Sequence, residues 1–246
     1  MTDRIVSHAA GRLQPWPGPS DLANIWLPPL ILVAIAVCAH VGGIDVAIED
    51  AMYDAAARQF PWRTSAAMEV LGHQLMRSLV TVVWVLLAVT ALASAWIGRL
   101  RPWRRLLAAT TLAMALGPTI VVVLKSFTAF PCPWSLTRYG GFAPEATRWF
   151  TTPSHAGHCF PAGHAAGGFS MIALAFGLAA AGVRRSAWAM LAFALAFGTV
   201  SAAVRTMQGA HFPSHSLWSA AIDWLAAALV IARVRCAAPA SARHAG

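Results

Sequence analysis

Six stretches of this chain are almost wholly apolar, and each approaches the ~20 residues a helix needs to cross the hydrocarbon layer of a bilayer. They run over 25–41, 79–97, 106–124, 165–182, 187–204 and 217–232. The pattern predicts an all-α fold, a polytopic bundle of six transmembrane helices, with residues 1–246 forming a single membrane-embedded domain. No internal repeat stands out. The first apolar run follows a polar start and lacks a small-residue cleavage site, so it reads as a retained helix rather than a signal peptide.

The polar gaps alternate in charge. Arg4 and Arg12 precede the first span. Arg99, Arg101, Arg104 and Arg105 fill the second gap, Arg184 and Arg185 the fourth, and Arg233, Arg235 and Arg243 follow the last span. Six spans put all of these on one side, which the positive-inside rule makes cytoplasmic, with both termini. The opposite side receives the loops 42–77, 125–163 and 205–214. In a bacterial inner membrane that side is the periplasm. The first of these loops carries Asp45, Glu49, Asp50 and Asp54 and reads as a solvated connector, with a short interfacial helix as the alternative.

Composition agrees with the pattern. The chain is 58% hydrophobic and 11% charged, against about 25% charged for a soluble domain. Mean hydropathy is +0.61. The net charge of +9 would suit nucleic acid if it were gathered on one face. Instead the arginines flank apolar runs, which excludes nucleic acid as a partner and leaves membrane lipids. Oligomeric state is not legible in the sequence.

Candidate chemistry gathers on the predicted outer side. Lys125, the chain's only lysine, ends the third span. Phe160-Pro161-Ala162-Gly163-His164 opens the fourth, and Arg205 closes the fifth ahead of His211. A phosphate monoester at a membrane surface needs cations and N–H donors at a water-accessible spot. Lys125 offers a point charge and Arg205 a planar fork for two phosphate oxygens. Gly163 allows close backbone approach at a helix N-terminus, which favours anions. Of the two imidazoles, His164 and His211, one would attack phosphorus and the other protonate the leaving oxygen.

These residues resemble three motifs of the type 2 phosphatidic acid phosphatase (PAP2) superfamily, K-x6-R-P, P-S-G-H and S-R-x5-H-x3-D. Lys125 is followed six residues later by Cys132-Pro133, Pro161-Ala162-Gly163-His164 matches the second motif, and Arg205 leads to His211 and then His215. The resemblance covers 125–215 and implies a core like that of the PAP2 phosphatases and haloperoxidases. It implies that His211 is the nucleophile forming a phosphohistidine, that His164 is the general acid, and that Lys125, Arg205 and the Gly163 amide bind the phosphate. It implies neither a metal nor a cofactor.

Three positions depart from the family pattern. Cys132 stands where the first motif has Arg, and Arg138, six residues later, is a candidate replacement. Ala162 replaces Ser and loses a hydroxyl donor. His215 replaces the Asp that orients the nucleophilic imidazole, as the acid of a Ser-His-Asp triad does. A neutral His215 can accept a hydrogen bond from His211 and so fix its tautomer, which would make activity sensitive to acid. Asp223 lies two helical turns on, about 12 Å deeper, and reads as one partner of a helix–helix hydrogen bond. Cys132 and Cys159 both fall on the outer side, beside motif segments, and are expected to form a disulfide worth roughly 3–4 kcal/mol from loop closure. Cys38 and Cys236 are expected to be reduced and structural. His155 and His158 precede Cys159 but lack a clear fourth zinc ligand, so they read as head-group contacts or loop polarity.

The sequence therefore points to an integral-membrane phosphatase acting on a lipid phosphate or diphosphate in the outer leaflet. Phosphatidic acid, phosphatidylglycerol phosphate, a polyprenyl diphosphate and lipid A phosphate are the candidates the resemblance supplies. A lipid phosphotransferase using the same intermediate, or a catalytically weakened binding or transport protein, remains an alternative.

Overall fold

The computed structural model describes residues 22–146, 149–152 and 157–236. Arg4, Arg12, Arg243 and His155 lie outside the described residues. The chain is helical. Helix α1 spans Leu22–Val41, α2 Ile44–Met52, α3 Ala66–Glu69, α4 Met76–Ala93, α5 Arg104–Lys125, α6 Gly163–Phe169, α7 Ile172–Ala180, α8 Arg184–Met207 and α9 Pro213–Cys236. Six helical segments are long and apolar enough to cross a membrane, α6 and α7 together making the fourth of them.

Apolar side chains occur all round these helices, so packing has to decide which faces turn inward. Helices α6–α7 and α9 form the centre, where Ala165, Phe169, Ile172, Phe176, Ala220, Trp224, Ala227 and Ile231 are buried. Helix α4 has no buried residue and turns Val82, Val85, Leu86, Val89 and Leu92 outward. An outward apolar face is stable in lipid. The inner helices approach closely because their contact residues are small. A Cβ at Gly168 would lie 2.8 Å from the Gly198 Cα, so only glycine permits this α6–α8 spacing.

The helix directions place the arginines and the candidate chemistry at opposite ends. Arg104 and Arg105 start α5 and Lys125 ends it; Arg184 and Arg185 start α8, and Arg205 lies in its last turn. The end bearing Lys125 is roofed by loops. Backbone hydrogen bonds join Ala129 to Trp149, Thr151 to Phe127 and Cys159 to Phe130, and the expected disulfide between Cys132 and Cys159 is present.

Three expectations are corrected. The first outer loop is only in part a solvated connector: Asp50 and Asp54 are exposed, but 44–52 form the alternative short helix, α2, whose Asp45 and Glu49 are buried. The Asp45 carboxylate accepts from the Ser214 amide at 3.0 Å and from the Ser214 hydroxyl, so it caps the first turn of α9. Asp223 makes no helix–helix hydrogen bond among the described residues; its buried carboxyl group packs against Gly117 of α5, where a Cβ would collide with it. Cys38 is free, but it faces outward from α1 instead of packing in the core.

Glu49 is completely buried, and its carboxyl oxygens have no partner among the described residues. Burial, reinforced by Asp45 and Asp50, pushes its pKa up to about 9 from 4.5. The folded protein then keeps this proton up to about pH 9, whereas the unfolded chain releases it near pH 4.5. Stability from this group is full below pH 4.5 and declines as pH rises towards 9. Glu49→Gln is expected to flatten that decline, which thermal unfolding in detergent at pH 5 and pH 8.5 would show. Equal losses of midpoint in both proteins would refute the assignment.

Candidate active site

The roof end of the bundle brings five of the sequence-predicted residues to one place. Lys125 ends α5, and a Cβ built at Gly163 would lie 3.7 Å from its Nζ, so the ammonium faces the glycine. Gly163 and His164 begin α6, where the His164 carbonyl accepts from the Ser201 hydroxyl of α8 at 3.2 Å. Arg205 lies in the last turn of α8. The chain then reverses through Gly209, at φ 67°, a conformation glycine adopts without strain. The Ala210 amide donates back to the Arg205 carbonyl at 2.8 Å, and the Thr206 hydroxyl donates to the His211 carbonyl at 3.0 Å. These local bonds fix His211 relative to Arg205.

His211 is 3% exposed. Its Nδ1 lies 2.8 Å from the Cys159 carbonyl, which can only accept, so Nδ1 carries the proton and Nε2 the lone pair. His215 Nδ1 lies 3.0 Å from the same carbonyl. The expected hydrogen bond from His211 to His215 is therefore not made: both imidazoles donate to one backbone oxygen, and their ring centroids are 6.2 Å apart. A carbonyl has two lone pairs and can serve both donors. With His215 acting as a donor, the acid sensitivity expected from its loss as an acceptor has no basis.

The Cys159 carbonyl is itself held. Its residue is covalently joined to Cys132, and its amide donates to Phe130 at 3.2 Å. On the far side the Trp134 amide donates to the Gly209 carbonyl at 2.9 Å, tying the Cys132 segment to the His211 turn. Ala162, where the family pattern has Ser, is buried; its amide donates to His215 and its carbonyl accepts from the Ser219 hydroxyl at 2.9 Å. Cys159 Sγ, His211 and His215 lie close enough to suit a metal. A disulfide sulfur is not a thiolate, however, and both Nδ1 atoms are turned to the carbonyl, so this donor set does not fit one.

Arg205 donates from Nη1 to Gln208 Oε1 at 2.8 Å, while its buried Nε has no partner among the described residues. Its guanidinium lies 5.8 Å from the Trp134 ring centre, and that of Arg63 lies 4.8 Å from the same ring. Arg138 does not join this group through its guanidinium. Nε and Nη2 grip both oxygens of Asp50, at 3.1 and 2.6 Å, and this pair holds the Asp50 carboxyl below its usual range. The candidate replacement for the missing first-motif arginine is thus engaged by a carboxylate.

A cavity of about 480 Å³ opens between α4, α5 and the start of α6. Lys125, Gly163 and His164 line one end, with Arg77 of α4. Val80 and Trp84 of α4, and Met114, Pro118 and Val122 of α5, line the rest. Met114 is eleven residues before Lys125, so the cavity extends roughly 16 Å along α5. His211 and Arg205 are not among the residues that line it. Two features escaped sequence reading. The Cys159 carbonyl carries no side-chain signal at all, and Asp45 reads as one more acid in a polar loop.

Burial lowers the pKa of His211 well below the ordinary histidine value, and His215, Lys125, Arg205 and His164 push it the same way. His211 is expected to stay neutral, with the proton on Nδ1, well below pH 6.5. Nitrogen-15 NMR of histidine-labelled protein, assigned with His211→Ala, would test this; a protonated His211 ring at pH 6.5 would contradict it.

No curated protein and no solved structure matches the chain. A family model described as the PAP2 superfamily matches residues 102–236, which contain Lys125, His164, Arg205, His211 and His215. That match covers more than half of the chain, and with the six apolar helices it marks an integral membrane protein with a phosphatase-type function. The chain belongs to the PAP2 superfamily.

Proposed function

We propose that the protein is an integral-membrane phosphatase that hydrolyses a lipid phosphate or diphosphate through a phosphohistidine on His211. The cavity carries the lipid part of this reading. It begins among Lys125, Gly163 and His164 and continues between apolar side chains of α4 and α5. A phosphorylated head at the first end and an acyl or prenyl chain along the rest would satisfy both.

In this reaction the phosphate lies between Lys125 and Arg205, where the buried, unpartnered Nε of Arg205 gains an acceptor oxygen. The His211 Nε2 lone pair attacks phosphorus, and the bond from phosphorus to the lipid oxygen breaks. His164 gives its proton to that oxygen. Positive charge grows on the His211 ring while Nδ1–H keeps its bond to the Cys159 carbonyl. Water then attacks phosphorus, the P–N bond breaks, and His164 takes the proton from water. The Cys132–Cys159 disulfide supports an oxidising compartment on this side, the periplasm of a bacterium, with the arginine-rich ends in the cytoplasm.

The test is phosphate release by detergent-purified protein from a panel of lipid phosphates and diphosphates, with EDTA present. His211→Ala is expected to reduce release by roughly 10³-fold or more. Release that survives His211→Ala would sink the phosphohistidine. His215→Ala is expected to cost only about tenfold, because it removes one neutral hydrogen bond while the Cys159 carbonyl still fixes His211. A loss as large as that of His211→Ala would assign His215 a part in the chemistry itself.

A further inference from the structure

We propose that Arg77 is a phosphate-binding residue, the third cation of the site, delivered by α4 from the lipid side of the cavity. The inference rests on the phosphatase reading above and adds a residue that lies outside all three motif segments.

Arg77 is in the first turn of α4, a helix whose outward face beyond Thr81 is apolar. It shares the cavity wall with Lys125, Gly163 and His164. Its other neighbours on that wall, Met76, Val80 and Thr81, carry no charge. Among the described residues no carboxylate pairs with its guanidinium, in contrast to Arg138, which is gripped by Asp50. An arginine and a lysine on the wall of one mainly apolar cavity, neither paired with a carboxylate there, call for an anion that both can reach.

The charge of the substrate gives the same answer. A phosphate monoester brings up to two negative charges, and a diphosphate brings more. Lys125 and Arg205 supply two cations. The first motif cannot supply another, because position 132 is a cysteine whose sulfur is bound to Cys159. Arg77 approaches from α4, where the lipid tail would lie. Its fork would therefore meet phosphate oxygens on the side of the leaving group, the side that His164 also serves.

An arginine at a helix end can also extend to the interface only to keep its charge in water. The two roles differ in one measurable quantity, the affinity for inorganic phosphate, which has no lipid part. Isothermal titration of the full-length protein in detergent with inorganic phosphate would be run on wild type, Arg77→Ala, Arg77→Lys, Lys125→Ala and Arg99→Ala. Arg99 lies at the opposite end of the bundle and serves as the charge-matched control. Arg77→Ala is expected to raise the dissociation constant about 10- to 100-fold. Arg77→Lys should recover part of that loss, by restoring charge without the fork, and Arg99→Ala should change nothing. An unchanged constant in Arg77→Ala, with Lys125→Ala weakened, would overturn the role of Arg77 and leave the site intact. No measurable binding by wild type, or no effect of Lys125→Ala, would overturn the phosphate site itself, and the assignment of Arg77 with it.

Discussion

Two imidazoles donate to one backbone oxygen at the centre of this structure, and most of the roof exists to hold that oxygen still. His211 and His215 approach the Cys159 carbonyl at 2.8 and 3.0 Å. They belong to different structural units, His211 to the turn after α8 and His215 to the first turns of α9. Cys159 belongs to a third, the loop before α6. A single acceptor thus sets the relative position of three segments. The disulfide to Cys132 and the Cys159 amide bond to Phe130 keep this segment from drifting. Asp45, by capping the first turn of α9 through Ser214, fixes the helix that carries His215.

This arrangement bears on the electrostatics of the end where Lys125 and Arg205 sit. Two cations near a buried imidazole discourage its protonation, and burial discourages it further. The result is a neutral ring with a defined tautomer, its Nε2 lone pair intact beside groups able to hold an anion. In the proposed reaction nothing needs to remove a proton from the nucleophile. The work that a general base would do has been done in folding, by withholding the proton from Nε2 and assigning the other to Nδ1.

Much of this was legible in the sequence because it follows from residue type and spacing. The six apolar runs match the six spans to within about four residues, except that the third span starts eight residues earlier, at Gly98, since length and hydropathy decide them. Lys125, Gly163, His164, Arg205 and His211 fall together because each sits at a helix end on the same side, and helix direction alternates. The Cys132–Cys159 bridge follows from two cysteines in one loop on that side. The failures share a cause as well. Arg138 looked like a phosphate ligand from its place in the chain, but an exposed carboxylate, Asp50, is nearer in space. His215 looked like a substitute acceptor for aspartate, yet its partner is a main-chain oxygen, which no sequence pattern announces. Arg77 belongs to no motif and comes into view only when α4 is packed against α5.

Replacing a carboxylate with His215 and a carbonyl changes what the site favours. A carboxylate would bring a negative charge into a buried region, at a desolvation cost, and would stabilise an imidazolium in return. A carbonyl brings only a dipole. The resting site is then more cationic than one with an aspartate, and a phosphate bound as proposed would be held more firmly. In the proposed reaction, an imidazolium formed on attack would be stabilised less by its neighbour and would rely more on the negative oxygens of the phosphoryl group it acquires. Binding that is equally strong in ground state and transition state lowers KM without raising kcat. In the proposed reaction, the histidine at position 215 would trade transition-state stabilisation for affinity. A third cation from α4 would move the site further the same way, towards capture of scarce or highly charged phosphates rather than rapid turnover of abundant ones.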